Sequence, residues 1–402
     1  MTKIAFILIA FFVPYAANGL KITPLENPAA AGSIQPNLTR GVDGALVLSW
    51  LEPVSQGSTK LALKYSVLRG DKWSKVSTVV ESENFKTHPS VPPAVTQLSE
   101  NGLIAYWGQG RKPSTPTTGH AHVEDVTISI SRDAGRTWSA PMIPHSDRSE
   151  VEHSFASLVP VSADSAQIVW LDGRTPGKQK LMAAPIDFNG IGKEYVLDDD
   201  VCTCCPTSTA LTSKGPVAAF RDHEAGDIRD ISIVRFMDGK WSRPKSIHGD
   251  GWKIAGCPIN GVDLAARGDV VAAAWYTAAG ETPEARVAFS KDAGETFGDP
   301  TTINSNRAVG RTSIALMNDR DALALWVEGT VEKDEAKSST QLYAKRIGIG
   351  QKTGSSVVVS STARGIGFPR VETCSKGAVI AWTDKSQQKS VVTALATMPT
   401  VE

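Results

Sequence analysis

The sequence lacks both a net charge and a second long apolar run. Its 402 residues contain 42 Lys and Arg against 42 Asp and Glu. The balance gives no sign of a basic surface for nucleic acid or an anionic membrane. After the first apolar segment, no stretch approaches the roughly 18 to 20 apolar residues that a bilayer span needs. Helical periodicity is also scarce there. These absences predict a chain of strands with no nucleic-acid partner and no membrane span.

The N-terminal segment has the composition of a secretory signal peptide. Residues 1–19 carry a single Lys3, an apolar run from Ile4 to Val13, and small residues at Ala16, Ala17 and Gly19. The run is too short to cross a bilayer, and the small residues are typical of a cleavage site. We therefore expect an exported, soluble mature chain of residues 20–402, in the periplasm or outside the cell.

Cysteine is rare but concentrated. Three of the five cysteines lie within "VCTCCPTS", at Cys202, Cys204 and Cys205, and the others are Cys257 and Cys374. Export favours disulfides, and an odd count leaves at least one cysteine free, intermolecular or liganded. A disulfide framework, a metal site and a local structural staple all remain open at this point.

One pattern repeats along the mature chain: a turn residue, several apolar residues and an aromatic residue, as in "GALVLSW" and "GAVIAW". The spacing averages about 55 residues, which lies in the range of propeller blades. The repeated aromatic residues are Trp50, Trp107, Trp170, Phe220, Trp275, Trp326 and Trp382.

Each repeat also contains other short, β-branched segments separated by Gly, Asp, Asn and Pro, which indicates antiparallel strands. Four strands in each unit predict an all-β single domain, a β-propeller. Seven blades are expected, with six as the alternative. The last unit has only three clear strands, so "LKITPLE" at the mature N-terminus is predicted to supply the fourth and close the ring.

Two segments resemble the Asp-box, S-x-D-x-G-x-T-W/F, of the sialidase-like (BNR-repeat) β-propellers: "SRDAGRTW" at 131–138 and "SKDAGETF" at 290–297. Asp133 and Asp292 are expected to accept backbone N–H bonds, and Gly135 and Gly294 to take positive φ. The resemblance implies a propeller. Sialidases of this family generally have six blades, an arginine cluster that grips a carboxylate, a Tyr nucleophile paired with Glu, and an Asp acid/base. The usual R-I-P motif is missing here.

Strand direction alternates within a blade, so inter-blade connections and the loops between second and third strands share one rim. All seven histidines map to this rim: His88, His120, His122, His145, His153, His223 and His248. Four cysteines map there too, and His88, His153, Cys205 and Cys257 are expected to converge from successive blades. Cys205 and Cys257 are the first candidates for contact, as a disulfide or as ligands.

Thiolate and imidazole ligands suit Cu or Zn. The leading functional hypothesis is therefore a site on this rim that binds a transition metal or uses redox thiols. Disulfides and solvated loop histidines are the alternatives. The residues assigned to that site are Cys202, Cys204, Cys205, Cys257, His88 and His153.

A second hypothesis is an exo-sialidase-like glycoside hydrolase, or a lectin, that recognises an acidic sugar through arginines. Tyr276 would be its nucleophile, with Glu281 nearby in sequence. The stretch "FRDHEAGDIRDI" is dense in charged residues and would orient the substrate; the alternative is a surface loop whose charges pair with one another. A protein-docking scaffold is the third possibility. The candidate catalytic residues are Arg221, Asp222, Arg229, Asp230, Tyr276 and Arg311, and Arg174 and Arg370 map to the same rim.

Overall fold

The protein is a seven-bladed β-propeller. A computed structural model describes residues 19–114, 123–330, 339–350, 354–362, 367–384 and 390–398. Within these ranges every regular element is a strand, and no helix is long and apolar enough to cross a membrane. The strands form seven separate antiparallel sheets. The prediction of an all-β fold with seven four-stranded blades is confirmed. Residues 1–18, and with them nearly all of the predicted signal peptide, lie outside the described residues.

The innermost and second strands of each blade pair as antiparallel hairpins. The innermost strands of blades 1 to 7 are β2 (Ile34–Arg40), β7 (Ala94–Gln97), β10 (His153–Pro160), β15 (Ser208–Thr212), β20 (Val262–Arg267), β24 (Ala308–Leu316) and β28 (Arg370–Cys374). The second strands are β3 (Leu46–Pro53), β8 (Leu103–Gly110), β11 (Ser165–Asp172), β16 (Gly215–Arg221), β21 (Val270–Thr277), β25 (Asp321–Thr330) and β29 (Gly377–Asp384).

The third strands are longer than most of the outer ones. They are β4 (Leu61–Arg69), β9 (Glu124–Ser131), β12 (Gln179–Asp187), β17 (Ile231–Met237), β22 (Glu284–Ser290), β26 (Ser339–Gly348) and β30 (Ser390–Thr397). The outer strands are β6 (Ser77–Ser82), β14 (Tyr195–Val201), β19 (Lys245–His248), β23 (Thr301–Thr302), β27 (Val357–Thr362) and β1 (Lys21–Pro24). Two-residue strands extend three hairpins: β5 (Lys72–Trp73), β13 (Gly190–Ile191) and β18 (Lys240–Trp241). In blade 2 the outer position is held by a bridge between Ile128 and Met142.

The ring closes as predicted from the sequence. Strand β1 pairs antiparallel with β30, from Lys21 opposite Thr397 to Pro24 opposite Ala394. The two ends of the chain thus complete blade 7 together, and the edge that β30 would otherwise expose is covered.

The second strands form the core of each blade because both of their faces are covered. Their repeated tryptophans bury an indole N–H that needs an acceptor. Trp50 donates to Glu52, Trp170 to Asp172 and Trp326 to Glu328, at 2.8 to 3.0 Å. Residues two apart lie on the same face of a strand. A Trp-x-acid pattern therefore satisfies the buried nitrogen within its own strand.

Neighbouring blades are linked by a repeated side-chain contact around the channel. Ser208 accepts the backbone N–H of Leu264, and Asp263 accepts that of Ile314. Ser313 then accepts the N–H of Val371. These three acceptors occupy equivalent positions, each opposite the residue that precedes the blade's aromatic residue. The contact fixes each innermost strand against the next.

Two hairpins on the rim opposite the histidines share one hydrogen-bond pattern. Asp133 accepts the backbone N–H and the hydroxyl of Thr137, and Asp292 does the same with Thr296. Gly135 and Gly294 both have φ of +81°. The local geometry expected for the two Asp-box-like segments is confirmed.

Candidate functional site

We call the rim that carries the starts of the innermost strands the histidine rim. His88, His145, His153, His223 and His248 all lie there, as the strand directions place them. His120 and His122 lie outside the described residues. The five histidines do not converge on the channel mouth, because each has local partners. His223, for example, lies between Asp200 at 2.9 Å and Asp227 at 3.2 Å, and His248 is 2.7 Å from Asp250.

The cysteine cluster forms two disulfides, with a pairing that differs from the predicted one. Cys202 pairs with Cys205 across a turn, and Cys204 at the tip of that turn reaches Cys257 of the next blade. The predicted Cys205–Cys257 contact is therefore wrong. Cys205 is instead bonded within its own turn, to Cys202. The neighbouring blades are bridged nevertheless, through Cys204, and Cys374 is free.

The predicted ligand set for Cu or Zn is not assembled in this form. All four rim cysteines are oxidised, so none offers the thiolate that a soft metal ion requires. His88 lies 2.6 Å from the Ser90 hydroxyl, and His153 belongs to a different group. Among the described residues, the two histidines and the sulfurs do not share one cluster of ligand atoms.

A buried group of titratable side chains lies between blades 2 and 3. His145 and His153 stack with ring centroids 3.7 Å apart, and Asp125 faces both rings. Burial and the nearby His153 lower the pKa of His145 to about 4. Both histidines were expected on this rim from the sequence, whereas Asp125 was not predicted. The available signal was the acidic pair that opens the apolar-alternating strand "EDVTISIS", all of whose residues are buried.

Glu124 is the other acid of that pair, and it is almost fully buried. Burial raises the pKa of Glu124 to about 7, although the Lys86 ammonium lies 2.5 Å from its carboxylate. The nearby Glu152 adds to the upward shift. Perturbed acids of this kind concentrate at functional sites, so this side of the rim is one of two candidate regions.

Arg221 is not the substrate-gripping arginine that the sequence predicted. Its side chain is 1% exposed and donates to three backbone carbonyls, those of Asn260, Arg229 and Tyr276, at 2.6 to 2.7 Å. The guanidinium also lies 4.8 Å from the centre of the Trp252 ring. Because Nε, Nη1 and Nη2 each donate to a backbone carbonyl, Arg221 stabilises the packing of blade 4 against blade 5.

The other three candidate catalytic residues of this stretch, which with Arg221 make four, are buried within the fold as well. Asp230 accepts the backbone N–H groups of Gly251 and Trp252, and Arg229 donates to the carbonyl of Ile254. Asp222 is buried, which raises its pKa. These contacts hold the connection between blades 4 and 5 and leave no charged group of the four directed at solvent.

Tyr276 and Arg311 differ from these residues because their functional groups are not used within the fold. Among the described residues, neither the Tyr276 hydroxyl nor the Arg311 guanidinium makes a hydrogen bond or an ion pair. Thr312, next to Arg311, donates to the carbonyl of Ala274, two residues before Tyr276. The two side chains therefore extend from adjacent segments of blades 5 and 6 on the histidine rim.

The backbone at Arg311 is held in an uncommon conformation. Its φ is +54° within a bulge of β24, and its N–H donates to the Asn260 side chain. The guanidinium lies 5.5 Å from the centre of the Phe368 ring, and burial lowers its pKa. Gln35 and Phe155 have φ of +54° and +52° in the equivalent bulges of blades 1 and 3, so this conformation belongs to the repeat. A partly buried arginine without a carboxylate partner is suited to an anionic ligand.

Tyr276 lies in a positive environment. Its ring meets Trp252 edge-on at 5.4 Å. Burial raises the pKa of Tyr276, and the positive charges of Arg307 and Arg221 oppose that shift. Among the residues that the structure describes, no carboxylate makes a hydrogen bond with its hydroxyl, and Glu281 is not in contact with it. The Tyr–Glu pair expected for a sialidase is not formed here.

The sequence matches no protein-family model and no curated protein sequence. The fold does have solved counterparts. An ulvan lyase of polysaccharide lyase family PL25, bound to -[GlcA(1-4)Rha3S]-, is similar, with 12% identity and a TM-score of 0.57 over 96% of this chain and 99% of that one. A Hadza microbial sialidase matches over 91% of this chain and 66% of that chain, with 15% identity and a TM-score of 0.46. At such identities the likeness concerns the fold.

The central channel adds a polar cavity of about 450 Å³ behind the rim. Arg370, at the start of β28, lines it together with Tyr106 and Asn37. Burial raises the pKa of Tyr106 to about 12, against the effect of the Arg370 charge. The Arg370 Nε atom is buried without a partner among the described residues. A second arginine therefore offers a donor inside the channel.

Proposed function

We propose that the protein is a carbohydrate-active enzyme that binds an acidic glycan at the histidine rim. The observation that carries this proposal is Arg311, a partly buried guanidinium at the rim with no carboxylate partner among the described residues. Leaving a buried charge unpaired is costly, and a planar guanidinium matches a carboxylate in a bidentate arrangement.

An aromatic surface beside the guanidinium supports a sugar ligand. Phe368 is half-buried and lies next to Arg311. Glycan sites combine apolar faces with a few directed polar groups. A structural neighbour with a TM-score above 0.5, the ulvan lyase, was solved with a uronic-acid disaccharide unit, which supports a carboxylated sugar as the ligand class.

Cleavage by β-elimination is the reaction that these groups suit best. A carboxylate paired with Arg311 would acidify the C5 proton of a uronate. Tyr276 would accept that proton as the general base; burial raises its pKa, and the charges of Arg307 and Arg221 oppose that rise. The C4–O bond then breaks, a C4=C5 double bond forms, and the leaving oxygen takes a proton from Tyr276 or from water.

Hydrolysis of a sialoside has less support. The arginine cluster that it requires would include Arg221, whose donors are already bonded to backbone carbonyls. Tyr276 also lacks the glutamate partner of a nucleophile. We infer further that the chain acts outside the cytoplasm, because two disulfides persist in oxidising compartments.

The experiment is a panel of polysaccharides, assayed for new reducing ends and for the ultraviolet absorbance of an unsaturated uronate. Turnover of uronate-containing polymers with both signals supports elimination. Tyr276→Phe should lower kcat by about 10²- to 10⁴-fold, the usual contribution of a positioned acid or base, with unfolding unchanged. Reducing ends without the absorbance would replace elimination by hydrolysis. Binding without turnover of any polymer would make the protein a lectin.

A further inference from the structure

We propose that Asp125, His145 and His153 bind one divalent transition-metal ion, with Zn²⁺ as the best match, and that this ion joins blades 2 and 3. The three side chains come from strand β9, from the connection after blade 2, and from the start of strand β10. They are 4%, 1% and 0% exposed. The inference is independent of the proposed glycan activity.

Each histidine ring has one nitrogen that faces away from Asp125, and the hydrogen bond of that nitrogen determines which ring nitrogen carries the proton. His145 Nδ1 lies 2.8 Å from the carbonyl oxygen of Asp147, which can only accept, so this nitrogen donates. His153 Nε2 lies 3.2 Å from the Asp147 carboxylate and 3.7 Å from that of Asp172. It donates as well. In the neutral rings, His145 Nε2 and His153 Nδ1 therefore present lone pairs.

Both unprotonated nitrogens lie near one carboxylate oxygen. His145 Nε2 is 3.4 Å and His153 Nδ1 is 3.8 Å from Asp125 Oδ1. None of these three buried atoms has a hydrogen-bond partner among the described residues. Three acceptors that face each other without a donor repel one another, and burial removes the screening by water. A cation at their centre removes this conflict.

The separations fit an ion better than a shared proton. Zn²⁺ with bonds of about 2.0 to 2.1 Å in tetrahedral geometry places its ligand atoms about 3.3 Å apart. The observed 3.4 and 3.8 Å lie close to that value, and the two parallel rings would turn so that both lone pairs meet at the ion. A charge-assisted hydrogen bond from a protonated histidine would instead be about 2.7 to 2.9 Å long.

The surroundings resemble those of a metal site. Metal-binding histidines usually donate their second N–H to a carbonyl or a carboxylate, which fixes the ring. Asp147 serves both rings in this way. Arg111 Nε lies 2.7 Å from Asp125 Oδ2 and leaves Oδ1 for the ion. Two imidazoles and one carboxylate are a donor set that Zn²⁺ accepts.

The test is metal analysis of the purified full-length protein, followed by chelation and calorimetric titration with ZnCl₂. We expect one ion per chain and a higher melting temperature with zinc. His145→Ala and His153→Ala should each weaken binding by more than about 100-fold, and Asp147→Asn by about 10- to 100-fold. His223→Ala is the matched control, because His223 also lies between two carboxylates on this rim.

Asp125→Asn separates loss of the ion from loss of the fold, because the amide has the size of the carboxylate but is a weaker ligand. Zinc binding should fall in this variant and circular dichroism should not change. Three results would overturn the proposal: a folded wild type that binds neither zinc nor copper, full occupancy in both histidine variants, or loss of the ion only when the rim cysteines are replaced.

Discussion

Removal of the Cys204–Cys257 disulfide should cost more stability than removal of the Cys202–Cys205 disulfide. The first closes a loop with a sequence separation of 53, the second one with a separation of 3. Loop-closure entropy then gives about 4 kcal/mol for the long loop and about 2 kcal/mol for the short one. The difference arises in the unfolded chain, which the long cross-link restricts far more.

The assay is denaturant unfolding of two double variants, Cys204→Ala/Cys257→Ala and Cys202→Ala/Cys205→Ala. Alanine suits the second pair because Cys202 and Cys205 are buried. Replacing both members leaves no unpaired thiol. Cys374→Ala provides the control for losing a cysteine that forms no disulfide. Equal losses for the two double variants, or the reverse order, would refute the loop-entropy reasoning.

Three further predictions concern single positions. Arg221→Met should lower the free energy of unfolding by about 3 to 5 kcal/mol, because three buried carbonyls lose their donor. If denaturant titrations show that Arg221→Met loses no more stability than Arg311→Ala, the prediction is wrong. Gly135→Ala should destabilise more than Gly294→Ala in thermal melts, since its Cβ would collide with the Tyr65 hydroxyl. Asp292→Asn should destabilise the protein at neutral pH but not near pH 2. Against burial, hydrogen bonds from Thr296 and Ser290 lower the pKa of Asp292 to about 2, so the ionised carboxylate stabilises the fold above pH 3.8 and this stabilisation is lost as pH falls toward 2. A stability difference between variant and wild type that does not change across that range would refute the prediction.

The architecture was predictable because its signals are local and repeated. Each blade needs one strand covered on both faces, which requires an apolar run ending in a large aromatic residue. The hairpin signals near Asp133 and Asp292 are equally local. The N-terminal closure followed from counting strands in the last repeat, since an incomplete blade leaves an open edge.

The site was harder to predict because charged residues in one stretch can face inward or outward. Arg221 and Tyr276 both looked catalytic in the sequence, yet Arg221 is bonded to carbonyls from three segments. Two of those carbonyls lie 39 and 55 residues away in sequence, so no local pattern reveals them. Asp125 was overlooked for the same reason: its histidine partners belong to a later connection and to the next blade.

The cysteine pairing depended on the direction of side chains within one turn. Cys204 and Cys205 are adjacent in sequence, and both are close enough to the next blade to be considered. Which of them faces Cys257 depends on backbone angles that the sequence "VCTCCPTS" does not reveal.

The most direct measurement compares the binding of a uronate oligosaccharide and of its carboxyl-reduced derivative to the wild type and to Arg311→Ala. If Arg311 pairs with the ligand carboxylate, the wild type should prefer the native oligosaccharide by about 10- to 100-fold in Kd, the value of a charged hydrogen bond. Arg311→Ala should lose most of that preference. Arg267→Ala, which removes an exposed arginine paired with Asp319, should keep it. An undiminished preference in Arg311→Ala would contradict the account.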